Sequence, residues 1–420
     1  MRHIALILGS MDEFVELVKL AKMQGIHTIV CDGYANGPAK RFADESYTID
    51  VRDTDAIAAL CKERGVDGII TSFSDLLAEC MVNIAAKAGL PCYAIPERFR
   101  VLREKPLMKK MFDELKISHP CSVAVHKGTI AGDIAPIGFP CVVKPVNGYG
   151  SRGIYVLDDA EQVEERFDEV ASYSSFDYIL AERYNDGFEI NMMSWIIDGE
   201  PVVLGMADRE KTREVLHAIP HVSRNIYPSR FAKDAYDEAR SIVKRVAAYV
   251  GISTGPLSMQ FFYTPGKGIE VCEVAGRLFG YEHELVTYGS GLSIEQLLLD
   301  YLYDRAAMKS LLEGHTPFYS RCSMGCYFHA YEGEVAQVNA ASRVAALPGV
   351  VEVKEYYQPG EVVSHGVGAK PYAVRCYAVA DDRETADALS EKIVSEVEVL
   401  DVLGNQMLYR NEIPSYGVRA

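Results

Sequence analysis

Apolar and polar positions follow two different periods over the first hundred residues. IALIL (4–8), HTIVCD (27–32) and DGIITS (67–72) are short apolar runs bounded by Gly or Asp, the form of buried strands. Between them, VELVKLAKMQG and LLAECMVNIAAKAG space their apolar residues three and four apart, which predicts helices. Strands separated by helices of this length connect by right-handed crossovers and build a parallel sheet.

Beyond residue 97 the pattern changes. A charged helix, REKPLMKKMFDELKI, leads to CVVKPVNGYGSRGIYVL, which reads as strand, glycine-rich loop, strand. Glycines flanked by strands on both sides exclude a Walker-type P-loop, whose glycines open a helix. The helix AEQVEERFDEVASY, the strand YILAERY and the pair FEINMMSWIIDGEPV, turning at Asp198-Gly199, follow. DREKTREVLHAIPHVSRN has little periodicity and reads as a long functional loop. After the amphipathic helix DEARSIVKRVAAYVG come the strands LSMQFFYT and IEVCEV, joined by a turn at Pro265-Gly266-Lys267-Gly268. A third unit carries the strands GCYFHAY, EVAQV and AVRCYAVA and the helix ETADALSEKIVSEV. The class is α/β with three units, 1–97, 98–310 (divided into 98–185 and 186–310) and 311–420, in keeping with about 150 residues per domain for 420 residues.

Charge narrows the function. Forty-three Lys and Arg against 59 Asp and Glu give a net charge of −16, which repels nucleic acid and anionic membranes yet allows a small polyanion in a locally basic cleft. No stretch approaches the roughly 18 apolar residues of a membrane span, and the N-terminal segment reads as a strand rather than a signal peptide. The ten cysteines are irregularly spaced, and the closest pair, Cys322 and Cys326, lacks the second pair of a zinc site. A cytoplasmic protein with reduced thiols is expected. Gly9-Ser10-Met11 lacks the later glycines of a dinucleotide fingerprint, which argues against an NAD-dependent enzyme.

A nucleoside triphosphate needs cations, backbone donors from a loop and oxygen ligands for Mg²⁺. Lys144 ends the strand CVVK at the mouth of the loop Asn147-Gly148-Tyr149-Gly150-Ser151-Arg152-Gly153, which can fold over phosphates. Period two along IEVCEV puts Val271 and Glu273 on one face, so that Glu273 points inward and needs a metal or Arg277 to offset its desolvation. Gln260, on the neighbouring strand, is either a core amide or a second oxygen ligand.

With these motifs together, the chain resembles the ATP-grasp carboxylate-amine ligases over essentially its whole length. The resemblance implies a Rossmann-like pre-ATP-grasp domain at 1–97, an ATP-grasp domain at 98–310 and a C-terminal α+β lid-like domain at 311–420. It implies that Lys105 and Lys144 contact ATP phosphates beneath Gly148, Tyr149, Gly150, Ser151, Arg152 and Gly153. It places Glu182, Arg183 and Tyr184 at the adenine hinge, Glu189 on the ribose, and Gln260 and Glu273 on Mg²⁺. Arg277 becomes the catalytic cation. One departure stands out: the family's Asn two residues after the metal-binding Glu is Ala275 here, which leaves a second magnesium short of a ligand. Within the superfamily, VNAASRVAALPGVVEVKEYYQPGEVV is similar to enzymes that join L-amino acids. The implied partners are a small-molecule carboxylate and an amine, with neither nucleic acid nor membrane; a homodimer stays open. A purine-pathway ligase and a nucleotide-binding protein without ligase activity are the alternatives. His217, His221 and His283 are tempting bases; the first two lie in the long polar loop, where solvated histidines are the commoner case and substrate contact the alternative, and Asp208, Arg209 and Lys211 read as a wet charged face.

Overall fold

The computed structural model describes residues 2–146, 153–211, 221–365 and 370–409. Four short strands, β1 (Ile4–Leu8), β2 (His27–Cys31), β3 (Glu45–Tyr47) and β4 (Gly68–Ile70), form a parallel sheet in the order β3-β2-β1-β4. β1 is apolar along its length because helices cover both faces of such a sheet. The chain leaves β1 through Gly9, at φ 114°, where a Cβ would lie 2.6 Å from the Phe14 ring and 2.7 Å from Leu77. That close turn aims the following residues over the carboxyl end of the sheet.

Four more strands, β5 (Ser122–Val125), β6 (Cys141–Lys144), β7 (Tyr155–Leu157) and β8 (Ile179–Arg183), make an antiparallel sheet in the order β5-β8-β6-β7. The helix Ala160–Ser172 covers it, capped by Asp159, and buries Val163, Phe167 and Val170 against Val143 and Ala181 in a small core of its own.

The long strands β9 (Phe188–Ile197), β10 (Glu200–Lys211), β11 (Val222–Tyr227), β12 (Gly255–Thr264) and β13 (Gly268–Ala275) form the body of an eight-stranded sheet. β9 turns into β10 through Asp198 and Gly199, both at positive φ, as a two-residue hairpin requires. The C-terminal stretch adds β14 (Cys322–Phe328), β15 (Gly333–Val338), β16 (Val350–Glu355), β17 (Val362–Val363), β18 (Val374–Ala380) and β19 (Val399–Asp401). Of these, β14, β18 and β16 continue the large sheet, whose order is β13-β12-β9-β10-β11-β14-β18-β16. They have a separate core built on Phe328, Val335, Cys376 and Ile393. The first sheet and the large sheet share one core, in which Trp195, Phe112 and Leu6 are fully buried. None of the ten cysteines is in a disulfide, and no described helix is long and apolar enough to cross a membrane.

Candidate functional site

Between the sheets lies a cleft of about 1540 Å³, and every described residue that the resemblance assigned to ATP, magnesium or catalysis lines it. Lys105 is the first residue of the helix Lys105–Glu114, where the helix dipole favours anions and opposes a cation. Burial, then repulsion from Lys144, lowers its ammonium to about 8, against the pull of Glu273 and Glu182. Lys144, at the end of β6, is 7% exposed, and its Nζ lies 2.6 Å from Glu182 Oε2. Burial works against its charge, yet Glu182 more than compensates and holds the ammonium above its ordinary range.

Glu182 has a second cationic partner. Its other oxygen is 3.0 Å from Lys109 Nζ, so one carboxylate, 4% exposed, sits between two lysines. Burial alone would raise its pKa; Lys144 and Lys109 outweigh that and hold it at about 2. Lys109 was legible as the residue one turn after Lys105 on the same helix face. Arg183 and Tyr184, expected at the adenine hinge, follow at the end of β8. The N–H groups of Arg183 and Tyr184 already donate to the carbonyls of Cys121 (2.9 Å) and Pro140 (3.3 Å), and the Arg183 guanidinium pairs with Glu270 at 2.7 Å.

Glu189 is buried and meets two cations, Arg209 at 2.8 Å and Lys211, as well as the side-chain amide of Gln260. This corrects the reading of 208–211 as a solvated loop. These residues are the last turn-free stretch of β10, which pairs with β9 and β11, and β11 already begins at Val222. Alternation sends Arg209 and Lys211 to the cleft and Asp208 and Glu210 to the opposite face. There Arg224 and Arg383 hold them almost fully buried. His217 lies outside the described residues. His221 lines the cleft, stacked on His329 at 4.3 Å, rather than standing in solvent, and His283 is buried with Glu284 (3.2 Å) and Glu295 (3.1 Å).

Gln260 and Glu273 are directly opposed across β12 and β13. The expected pairing of Glu273 with the Val271 face is wrong, because the register shifts between Gln260 and Phe261. Phe261 faces Val271 and Gln260 faces Glu273, so Cys272 is the extra residue of a bulge that turns Glu273 from the core to the cleft. Among the described residues Glu273 makes no ion pair, and the Gln260 N–H₂ points to Glu189, leaving its carbonyl oxygen free to face a cation. A carboxylate and an amide oxygen on adjacent strands suit Mg²⁺, which takes its remaining ligands from phosphates and water. Among the described residues no cluster of three acids, histidines or cysteines could hold a metal without them.

Arg277 does not pair with Glu273. Its Nε and Nη2 donate to Asp75 at 3.0 and 2.7 Å, and Asp75 opens a helix of the first unit. Burial opposes the charge and Asp75 sustains it, which keeps the guanidinium raised above its usual range. Two further acids of the cleft gave no motif. Glu282 accepts from Tyr227 (2.5 Å) and Asn191 (2.9 Å), and Glu13 follows β1. Of the glycine loop, Gly153 lines the cleft at positive φ; Gly148, Tyr149, Gly150, Ser151 and Arg152 lie outside the described residues.

Residues 137–283 match the family model of the ATP-grasp domain, and residues 327–400 match L-amino acid ligase C-terminal domain 2. Among curated proteins the chain is 26% identical over 282 residues to the uncharacterized protein y4rH of Sinorhizobium fredii, covering 63% of this chain and 54% of that protein. It is 27% identical over 306 residues to the formate-dependent phosphoribosylglycinamide formyltransferase of Corynebacterium jeikeium, covering 68% and 70%. The chain thus spans about half the length of the first of these relatives. The L-amino acid ligase of Bacillus licheniformis superposes with a TM-score of 0.79 at 17% identity, over 95% of this chain and 99% of that one, which shows a shared fold.

Proposed function

We propose that this chain, whose residues 137–283 match the family model of the ATP-grasp domain, is an ATP-dependent ligase that activates an amino-acid carboxylate as an acyl phosphate and couples it to an amine. The observation that carries this is the convergence in one cleft of Lys105, Lys144 and Lys109, the Gln260–Glu273 oxygen pair and Arg277. A carboxylate is a poor electrophile, and the protein's contribution is to position it and to stabilise charge. Lys105 and Lys144 hold the phosphates, and Glu189 takes the ribose hydroxyls, exchanging contacts with Arg209 and Lys211. Gln260 and Glu273 would hold Mg²⁺, whose charge neutralises phosphate oxygens when it is bound. Arg277, fixed by Asp75, faces the oxygen that gains charge as the amine adds.

Amino-acid substrates are supported by the C-terminal domain match at 327–400. A second reading, in which formate is the acid and a phosphoribosyl amine the nucleophile, has the 27% identity to the Corynebacterium jeikeium enzyme in its favour. Phosphate release from ATP separates them. Release with a mixture of the twenty L-amino acids, and none with formate alone, is expected. Release only with formate and phosphoribosylglycinamide together overturns the amino-acid reading. No release with either leaves a nucleotide-binding protein without ligase activity.

A further inference from the structure

The ligase chemistry above leaves one proton without an acceptor. An amine nucleophile is mostly an ammonium at neutral pH and cannot attack until it loses a proton. Glu13 is placed to take it. The residue lies in the short turn Asp12–Phe14 at the carboxyl end of β1. In the order β3-β2-β1-β4, the connections run to opposite sides of β1, and the loops that leave β1 and β4 therefore part to form a crevice. Both loops line the cleft, with Glu13 on one and Phe73, Ser74 and Asp75 on the other.

A third loop closes over the carboxylate. Gly280 follows β13, and a Cβ there would collide with Glu13 Oε2 and stand 3.0 Å from the Phe73 carbonyl oxygen. A glycine at 280 is what leaves room for this carboxyl group. Inside the enclosure Oε2 is buried and has no hydrogen-bond partner among the described residues. The charged and titratable groups that face Glu13 are Asp12 from its own turn, Arg277 and Tyr281 from the segment after β13, His283 and Glu284 from the following helix, and Tyr372 ahead of β18. Burial is the largest influence and pushes the carboxyl up to about 8; His283 and Arg277 pull it down, and Glu284 and Asp12 push it up.

We propose that Glu13 is the catalytic base that deprotonates the amine substrate. The inference rests on the ligase reading. The carboxylate takes one proton from the ammonium, and the freed nitrogen pair attacks the acyl carbon. The carbon–oxygen bond to phosphate breaks with its electron pair leaving on phosphate, which takes the second nitrogen proton as the amide forms. Arg277, within electrostatic reach of Glu13, faces the oxygen that is negative between these events. The α-amino group of a chain N-terminus loses its proton at about 8 and that of a free amino acid somewhat higher, so a carboxyl group raised toward that range exchanges the proton at far less cost than an ordinary exposed glutamate.

Hydroxylamine, unprotonated at neutral pH, traps an acyl phosphate as a hydroxamate without needing a base, and separates activation from amine attack. Wild type, Glu13→Gln and Gly280→Ala are each given ATP, magnesium and the twenty L-amino acids, with and without hydroxylamine. Hydroxamate and dipeptide are both measured from pH 6 to 10. Glu13→Gln is expected to keep hydroxamate formation and to lose dipeptide formation by about tenfold or more at pH 7, the loss shrinking as pH rises and free amine accumulates. Gly280→Ala, which displaces the carboxylate without removing it, is expected to show the same split more weakly. Dipeptide formation by Glu13→Gln within threefold of wild type overturns the proposal, and so does a parallel fall in both products, which marks a structural role. If wild type yields no hydroxamate, it is the ligase reading itself that fails, and this inference with it.

Discussion

The site holds lysines where they are least comfortable, and Lys105 is the clearest case. It is partly buried at the N-terminus of a helix, beside Lys144, and its ammonium is lowered from 10.5 to about 8. The unfolded chain therefore binds this proton more tightly than the folded one between those two values. Stability consequently rises with pH across that window, and below it the charged lysine carries its full penalty, on the order of 3 kcal/mol. Bound phosphate would relieve the penalty. Lys105→Met is expected to raise the melting temperature at pH 7 by several degrees and to leave it nearly unchanged at pH 10.5, while weakening ATP binding by about tenfold or more. Calorimetry of unfolding and of ATP titration checks both halves. A lysine that stabilises the empty protein at pH 7 would place its ammonium outside this field.

At the scale of elements, the reading from sequence succeeded where a regular period holds and failed where a period is interrupted. The strands and helices up to residue 97 follow their apolar spacing, and Lys144, Glu189 and Gln260 fall in the cleft because each ends or alternates along a regular strand. Glu273 is different. Strict alternation puts it with Val271, and only the bulge at Cys272 brings it opposite Gln260. A bulge costs one unpaired residue and has no composition of its own, so a single sequence does not announce it. The run 208–211 failed for the converse reason. Its four charges suggest water, whereas they are a strand alternating between a buried ion network and the cleft, and the compensating arginines arrive from 224 and 383. Below the bulge the register is regular again, with Ser258 opposite Ala275, so Ala275 shares the face of Gln260 and Glu273. Ala275→Asn therefore offers one more amide oxygen toward the site. In an active ligase it should lower the magnesium concentration for half-maximal phosphate release by a few-fold. Coincident magnesium curves for the two proteins would mean that residue 275 does not reach a bound ion.

At the scale of the whole molecule, the C-terminal unit is tied to the cleft through buried charge. Arg224 and Glu210, both with fully buried side chains, pair at 2.6 Å, and Arg224 also reaches Asp387 at 2.7 Å on the helix Arg383–Glu396. Arg383, from the same helix, pairs with Asp208 at 2.8 Å and Glu210 at 2.9 Å. These contacts fix β10, whose other face carries Arg209 and Lys211 to Glu189. Removing one partner from such a network leaves an uncompensated buried charge, a cost of about 3–5 kcal/mol. The cost must depend on pH in a particular sense. Burial already raises Glu210 above the ordinary carboxylate range, with Arg224 and Arg383 pulling it back. Without Arg383 it rises further, and the folded variant then binds a proton that the unfolded chain releases above about 4.5. Stability of the variant therefore falls as pH climbs from that value. Arg383→Met is expected to be destabilised relative to wild type much more at pH 8 than at pH 5. Weaker ATP binding should accompany it if the strand loses its register with Glu189. Urea unfolding of both proteins at the two pH values measures the difference directly. An equal loss at both would mean that Glu210 stays ionised without Arg383, and that Arg224 alone satisfies it.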